Sequence, residues 1–351
     1  MDAIHKLGYS MIIARPERLY ELYRLYHKNV HLVIWDSEAH PDCMYNPACV
    51  YAEFGENGSL ETTPVPPPNA THLNIPIWKL FHPNWWNYPV EPLRGPFTLS
   101  PEPYEFWPAG SNSAKENFYL GYTVEPSCME TPYVPHAERP LQAYIFGKDL
   151  RYFMHKDYIL WGEERGMEGS MQDDFYLDFS QKENVTFLAG RFNFEGALGN
   201  YTETPRGITH HEKLPRTEFQ KVVAESRVLI GLGHPMLSPT PYEALCLGIP
   251  FINPVRRGDK NDLTNKMAWT GQHDALIYEG LDEPYVYHVE LGDREGLRAA
   301  LRKAMTTPIE RYIPPHMTSS AFLRRMKSLL ETDWRPVAKM QMQVVNYKYQ
   351  T

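Results

Sequence analysis

Four short apolar runs most constrain this chain: residues 142–148 (QAYIFGK), 185–190 (VTFLAG), 228–233 (VLIGLG) and 249–254 (IPFINP). Each is too short for a helix and is bounded by Gly, Pro or polar residues, so each reads as a buried strand. The segments between and after them, 149–166, 217–227 with Thr217 as cap, 241–248, 293–306 and 319–331, carry helical patterning, and 285–291 reads as a further strand. Strands alternating with helices are joined in parallel by crossovers, which predicts an α/β fold with a mostly parallel sheet covered on both faces. The expected unit is Rossmann-like and roughly 220 residues long, a normal domain size.

Upstream the text differs. Residues 16–29 repeat Leu and Tyr at helical spacing, and 30–36 (VHLVIWD) reads as a strand whose carboxyl end carries Asp36, Ser37 and Glu38. Polar groups there stand where ligands gather in an open sheet, although a surface turn capped by Asp36 accounts for them equally well. Residues 117–125 (NFYLGYTVE) read as a buried strand with Glu125 at its carboxyl end. Between Cys43 and Pro108 proline is dense, which blocks long helices and central strands and predicts an irregular interdomain crossing. Its aromatic stretch 78–86 (WKLFHPNWW) fits an acceptor groove or packing between domains. The expected division is a partial N-terminal domain with the Pro/Trp-rich segment over 1–100, the Rossmann-like domain over 101–335 and a tail over 336–351.

Composition excludes several classes. A net charge of -8 with no dense Lys/Arg run argues against a nucleic-acid partner. No apolar run reaches 18 residues, and the opening DAIHKLGY lacks the regions of a signal peptide, so the sequence as written shows neither a membrane span nor an export signal. Sequons at Asn57, Asn69, Asn184 and Asn200 lean toward a secretory compartment. Cys43 and Cys49 can close a short loop, whereas Cys128 and Cys246 read as buried thiols. No His/Cys spacing suits a metal, and the 14 histidines, His210 and His211 among them, read as surface residues. A dinucleotide-dependent dehydrogenase is disfavoured because no Gly-x-Gly-x-x-Gly follows the first strand.

Residues 231–254 (GLGHPMLSPTPYEALCLGIPFINP) stand apart, because they place one acid, Glu243, between apolar runs with no cation nearby in sequence. A strand, a glycine turn and a helix entered through Pro241 precede it. In the first turn of that helix an acid is favoured by the dipole, which is sufficient reason for Glu243; a carboxylate holding the hydroxyls of a nucleotide ribose is the other reading. Spacing leaves both open.

The run closely resembles the nucleotide-sugar signature of the alpha-1,6-mannosylglycoprotein 6-beta-N-acetylglucosaminyltransferases, glycosyltransferase family 18, which includes N-acetylglucosaminyltransferase V. That signature has Gly-Leu-Gly-x-Pro, a Pro-x-Pro-Leu-Glu-Ala helix entry and an apolar strand ending in Leu-Asn-Pro. Residues 118–125 (FYLGYTVE), 144–153 (YIFGKDLRYF) and 309–326 (IERYIPPHMTSSAFLRRM) resemble further segments of the family in the same order.

The resemblance implies a GT-B fold, represented mainly by its C-terminal Rossmann-like donor domain with an incomplete N-terminal domain. It implies transfer of N-acetylglucosamine from UDP-GlcNAc to the 6-hydroxyl of an alpha-1,6-linked mannose on the N-glycan of a glycoprotein, with inversion and without a metal or other cofactor. Carried over by position, Glu243 holds the ribose and Pro241 starts its helix. Lys148 meets the diphosphate, Gly147 beside it belongs to the donor-binding set, Gly233 and its neighbours, Gly231 among them, admit backbone amides to the diphosphate, and Glu125 lies at the cleft floor. Lys148 by itself also reads as a solvated charge at a strand end. The family works in the Golgi lumen behind a membrane anchor, which is absent from this sequence. Its general base lies upstream of the matched part, so Asp36 and Glu38 are the replacements to consider. The alternative reading is a catalytically inactive or truncated homologue that lacks the general base and binds nucleotide or glycan. His234 and Met236-Leu237 depart from the family text, which opens the reading of a different sugar donor.

Overall fold

A computed structural model describes residues 2–36, 39–44, 46, 49–51, 75–84, 95–103, 117–147, 151–154, 174–190 and 205–344. The chain divides into two compact units, Met1–Tyr122 with Ser319–Thr351, and Thr123–Thr318.

The first unit contains α1 (Asp2–Lys6), α2 (Pro16–Tyr26), β1 (Val33–Ile34), α3 (His40–Met44), β2 (Val50–Tyr51), β3 (Ile75–Pro76), β4 (Leu80–Pro83), β5 (Thr98–Ser100) and β6 (Phe118–Tyr119). Strands β1, β4, β5 and β6 form a parallel sheet in that order, and β2 pairs with β3. The proline-rich segment, expected to be irregular, therefore supplies strands. They are short enough to fit between prolines, and Pro76 and Pro83 fall at strand ends, where a missing N–H is tolerated. The described part of the aromatic stretch packs this unit's own core: Leu80 and Phe81 are buried, and Phe81 and Phe97 meet the Trp334 ring at 5.1 and 5.7 Å. Cys43 and Cys49 are bonded, closing the expected short loop.

The second unit runs α4 (Glu125–Glu130), β7 (Gln142–Phe146), α5 (Arg151–Met154), α6 (Phe175–Glu183), β8 (Thr186–Gly190), β9 (Ile208–His211), α7 (Arg216–Ala224), β10 (Val228–Gly231), α8 (Thr240–Cys246), β11 (Phe251–Arg257), β12 (Trp269–Gly271), α9 (Asp274–Tyr278), β13 (Val286–Glu290) and α10 (Arg294–Thr306). Its seven-stranded sheet has the order β12-β11-β10-β7-β8-β9, with β13 also paired to β11. Every pairing is parallel except that of β12. Ile145, Phe187, Val228 and Ile230 pack under Phe175, Phe179, Leu297 and Leu301, while Leu229 and Phe251 are equally buried, so the sheet is covered on both faces. The α/β class and the Rossmann-like unit are as expected.

Helices α11 (Ser319–Glu331) and α12 (Arg335–Val344) return to the first unit, because Met326, Leu329, Trp334 and Ala338 belong to its core. The division thus falls at 122 and 318 rather than at 100 and 335.

Several local expectations change. Residues 117–125 hold only the two-residue strand β6, and Glu125 opens α4 instead of ending a strand. Helix α7 starts at Arg216 behind Pro215, with no side-chain cap from Thr217. The expected helix over 149–166 is seen as α5, and 155–173 lie outside the described residues. Cys128 and Cys246 are buried as expected but bonded to each other, not free thiols, with Cα atoms 6.1 Å apart across 118 residues of sequence. Not all histidines are on the surface: His40, His82 and His273 are fully buried. His210 and His211 lie in the edge strand β9, and Asn184 is exposed at the end of α6, while the other three sequons lie outside the described residues. Among the described residues no helix is long and apolar enough to cross a membrane.

In the first unit the His40 and His82 rings lie 4.3 Å apart, and His82 Nε2 is 3.0 Å from Thr98 Oγ1. Burial lowers His40 to about 3, with the His82 charge adding to it, and burial lowers His82 to about 4. Both folded-state values lie below the unfolded value of 6.5, so protons bind the unfolded chain first. Stability from this pair is intact above about pH 6.5 and is lost as the pH falls toward 4, at about 1.4 kcal/mol per unit of displacement. Hydrogen exchange of peptides covering 80–84 and 95–100 should accelerate over that window, and His40→Leu should flatten the response. Equal acid sensitivity in His40→Leu would locate the effect elsewhere.

Candidate functional site

In the second unit the chain passes from β7 outward to β8 and β9, then returns to place β10 on the other side of β7 and continues to β11 and β13. The direction of winding reverses between β7 and β10. At such a switch point, beyond the carboxyl ends of the strands, an open α/β sheet has its ligand crevice.

Glycine stands at both strand ends there, as the last residue of β10 and the first residue after β7. Phe146 and Gly231 are parallel neighbours, and Gly147 follows at once. A Cβ at Gly147 would strike the Leu232 side chain, and one at Gly231 would strike Gln272 Oε1 and come within 2.7 Å of Pro254 Cδ. These glycines let the strand ends close up. Gly233 has φ 91, in the left-handed region that glycine adopts without penalty. Its amide donates to Gln272 Oε1 at 2.8 Å, so that N–H is committed within the protein. The Gln272 carboxamide also donates to Pro235 O at 3.2 Å, and its backbone carbonyl accepts from Leu237 N at 3.0 Å. One buried glutamine thus pins the turn after β10, including Leu237, which itself has a positive φ of 52. The His234 ring stacks on Tyr152 at 5.7 Å, and burial lowers its pKa.

The turn leads into α8, entered through Pro241 and buried from Pro241 to Cys246. Glu243 is only 7% exposed. The cation missing from its sequence neighbourhood is supplied by the fold: Arg216 Nη2, from the start of α7, lies 2.6 Å from Glu243 Oε1. Ser127, in the first turn of α4, donates to the same oxygen at 3.4 Å, and Arg216 Nη2 is 3.3 Å from Ser127 Oγ. Arg216 remains 68% exposed, so the carboxylate is buried while its partner reaches in from the surface.

Arginines hold the other end of α8. Arg139, 2% exposed, donates to Gly248 O at 2.7 Å, Leu247 O at 2.9 Å and Val134 O at 2.9 Å. Arg311 donates to Cys246 O at 2.8 Å and Cys128 O at 3.0 Å, beside the bond between those cysteines. Laterally, Tyr242 donates to Glu279 Oε1 at 2.9 Å, and His316 Nε2 lies 3.3 Å from the same oxygen. Burial raises Glu279 to about 7, and the Tyr242 hydrogen bond partly counters that rise.

The second unit therefore brings Gly147, Gly231, Gly233, Pro241 and Glu243 to one end of its sheet, with Glu125, half-buried, in the first turn of the helix that carries Ser127. Asp36 belongs to the first unit, is exposed and accepts from Ala39 N at 3.3 Å, which fits the turn reading. Glu38 and Lys148 lie outside the described residues. Among the described residues no group of three or more His, Cys, Asp or Glu side chains is arranged to hold a metal ion. Arg216, Ser127, Gln272 and Arg139 were not foreseen. Only Arg216 left a local signal, a cation at the first position of a helix, where the dipole favours an acid.

A doubly wound sheet with close-packed glycines at its switch point and a buried carboxylate in the next helix has the architecture of the nucleotide-binding α/β proteins. The chain belongs to glycosyltransferase family 18, whose profile matches residues 104–348. It is similar to the alpha-1,6-mannosylglycoprotein 6-beta-N-acetylglucosaminyltransferase A of Rattus norvegicus, 23% identical over 270 residues that cover 71% of this chain and 33% of the relative. The B enzyme of Homo sapiens is 22% identical over 190 residues, covering 48% and 24%, and the Caenorhabditis elegans enzyme 26% over 140 residues, covering 38% and 21%. The match to the rat enzyme spans about a third of that relative's length. Among solved structures, the glycotransferase of kitacinnamycin is 13% identical with TM-score 0.32, covering 71% of this chain and 53% of that one. Trehalose-6-phosphate synthase OtsA is 12% identical with TM-score 0.33, covering 66% and 51%.

Removing the Arg139 guanidinium strands the buried carbonyls of Leu247 and Gly248, each worth about 1–3 kcal/mol, and frees the half-buried one of Val134. Arg139→Met should lower the stability of the second unit by about 2–6 kcal/mol, the cost of two stranded buried carbonyls, read as a shifted urea midpoint by hydrogen exchange in 142–146 and 228–231. A change below about 1 kcal/mol would mean that water replaces the arginine.

Proposed function

We propose that this chain binds UDP-GlcNAc and transfers N-acetylglucosamine, with inversion and without a metal, to the 6-hydroxyl of an alpha-1,6-linked mannose of N-glycans. The observation that carries the reading is the Glu243 carboxylate: buried beside the switch point, yet answered among the described residues only by one nitrogen of an exposed arginine and one long serine contact. A ribose offers two hydroxyl donors, which suit the two oxygens of a carboxylate held in this way. A metal-free transfer must meet the charge developing on the leaving diphosphate with fixed cations, and Lys148, directly after Gly147, is the residue proposed for that role. Glu125 is proposed for the floor of the site, and Gly231 and Gly233 for close backbone approach. An inverting transfer also needs a general base at the acceptor hydroxyl, for which Asp36 and Glu38 are the proposed groups within this chain. The Golgi lumen is the compartment this activity requires, in keeping with the exposed sequon at Asn184.

In EDTA, UDP and UDP-GlcNAc should raise the unfolding midpoint while GDP and NAD should not. Ligand at 100 times its dissociation constant adds about 2.7 kcal/mol, and Glu243→Ala should abolish the gain. Release of UDP with an N-glycan acceptor then tests turnover. Stabilisation without turnover would make the chain a nucleotide-holding homologue, and no stabilisation by either uridine ligand would overturn the donor-site reading.

A further inference from the structure

We propose that Arg216 is an exchangeable counter-ion of the donor site, resting on Glu243 in the free protein and moving to the diphosphate of a bound nucleotide. The proposal rests on the reading of Glu243 as the ribose carboxylate and adds a second binding residue to it.

Local helix energetics do not account for Arg216. It is the first residue of α7, behind Pro215 and without a side-chain cap, so its charge sits at the positive end of the helix dipole. What holds it is Glu243, 27 residues away. The contact is half-made. Among the described residues only Nη2 is engaged, at 2.6 Å from Glu243 and 3.3 Å from Ser127, whereas Arg335 uses both Nε and Nη2, each at 2.7 Å, to grip Asp333. A guanidinium carries five donors in a fork that matches phosphate as well as carboxylate. The rest of this fork lies on a side chain that is 68% exposed.

A ribose seated on Glu243 would supply hydroxyl donors in place of Nη2. The phosphates of the same nucleotide would then lie within the reach of a long, solvent-exposed side chain that needs only rotamer changes. Because the diphosphate carries more charge than one carboxylate, the freed guanidinium is the stronger partner there. One residue would thus neutralise Glu243 in the free state and join Lys148 at the diphosphate in the bound state, without a metal.

Titration calorimetry in EDTA with uridine and with UDP tests this on the full chain and on Arg216→Ala, Arg216→Lys and Glu243→Ala. Arg216→Ala should weaken UDP ten-fold or more, about 1.4 kcal/mol, while uridine binds as before or a few-fold tighter because the carboxylate is freed. Arg216→Lys should recover part of the UDP affinity. Equal weakening of uridine and UDP in Arg216→Ala would overturn the proposal, since the arginine would then only hold Glu243 in place. Unchanged UDP binding would overturn it as well. If the wild type binds neither ligand, or Glu243→Ala binds both as the wild type does, the donor-site reading itself fails and the proposal falls with it.

Discussion

The buried guanidinium of Arg139 is the contact on which the rest of the site depends. Helix α8 has seven residues, too few to be stable alone, so its position must come from tertiary contacts. Arg139 closes two carbonyls beyond its C-terminus, where the dipole favours a cation, and Arg227 in turn donates to Arg139 O at 2.8 and 3.0 Å and to Met305 O in α10 at 2.9 Å. Arg311 and the Cys128–Cys246 bond then tie α8 to α4. Fixing those ends fixes the opposite turn, where Glu243 meets Ser127.

Two buried carboxylates on neighbouring elements show how environment separates roles. Glu279 is answered by the phenol of Tyr242, itself fully buried, and burial moves its pKa up to about 7; it braces the helix. Glu243 is answered by a flexible arginine that keeps most of its surface in water. The first carboxylate is held by a buried phenol, whereas the second is held by a side chain that reaches in from the surface.

Family resemblance and compact units do not share boundaries in this chain. The family 18 match, 104–348, takes in the whole of the second unit and continues through α11 and α12, whose apolar faces are buried in the core of the first. A boundary drawn from sequence likeness alone therefore misassigns those helices, because likeness follows the order of the chain and packing does not.

Much of the second unit was legible. The strands β7 and β10 and the first five residues of β11 are buried along almost their whole length, β8 less completely, and all four appear as short apolar runs, while α10 and α11 repeat their apolar residues at helical spacing. Edge strands were not: β9 (ITHH) and the three-residue β12 are polar or brief, since an edge need not be apolar on both sides. The strands β3 to β5 were hidden by the prolines around them. At the site, the sequence determined that Glu243 would start a helix after a glycine turn. It did not determine that Arg216 would neutralise it, that Gln272 would pin the turn, or that Cys128 would bond Cys246 across 118 residues. Periodicity and capping act between residues a few positions apart and can be read along the chain. The partners of a buried charge are chosen by which strand is inserted beside which, and that choice exists only in the assembled sheet.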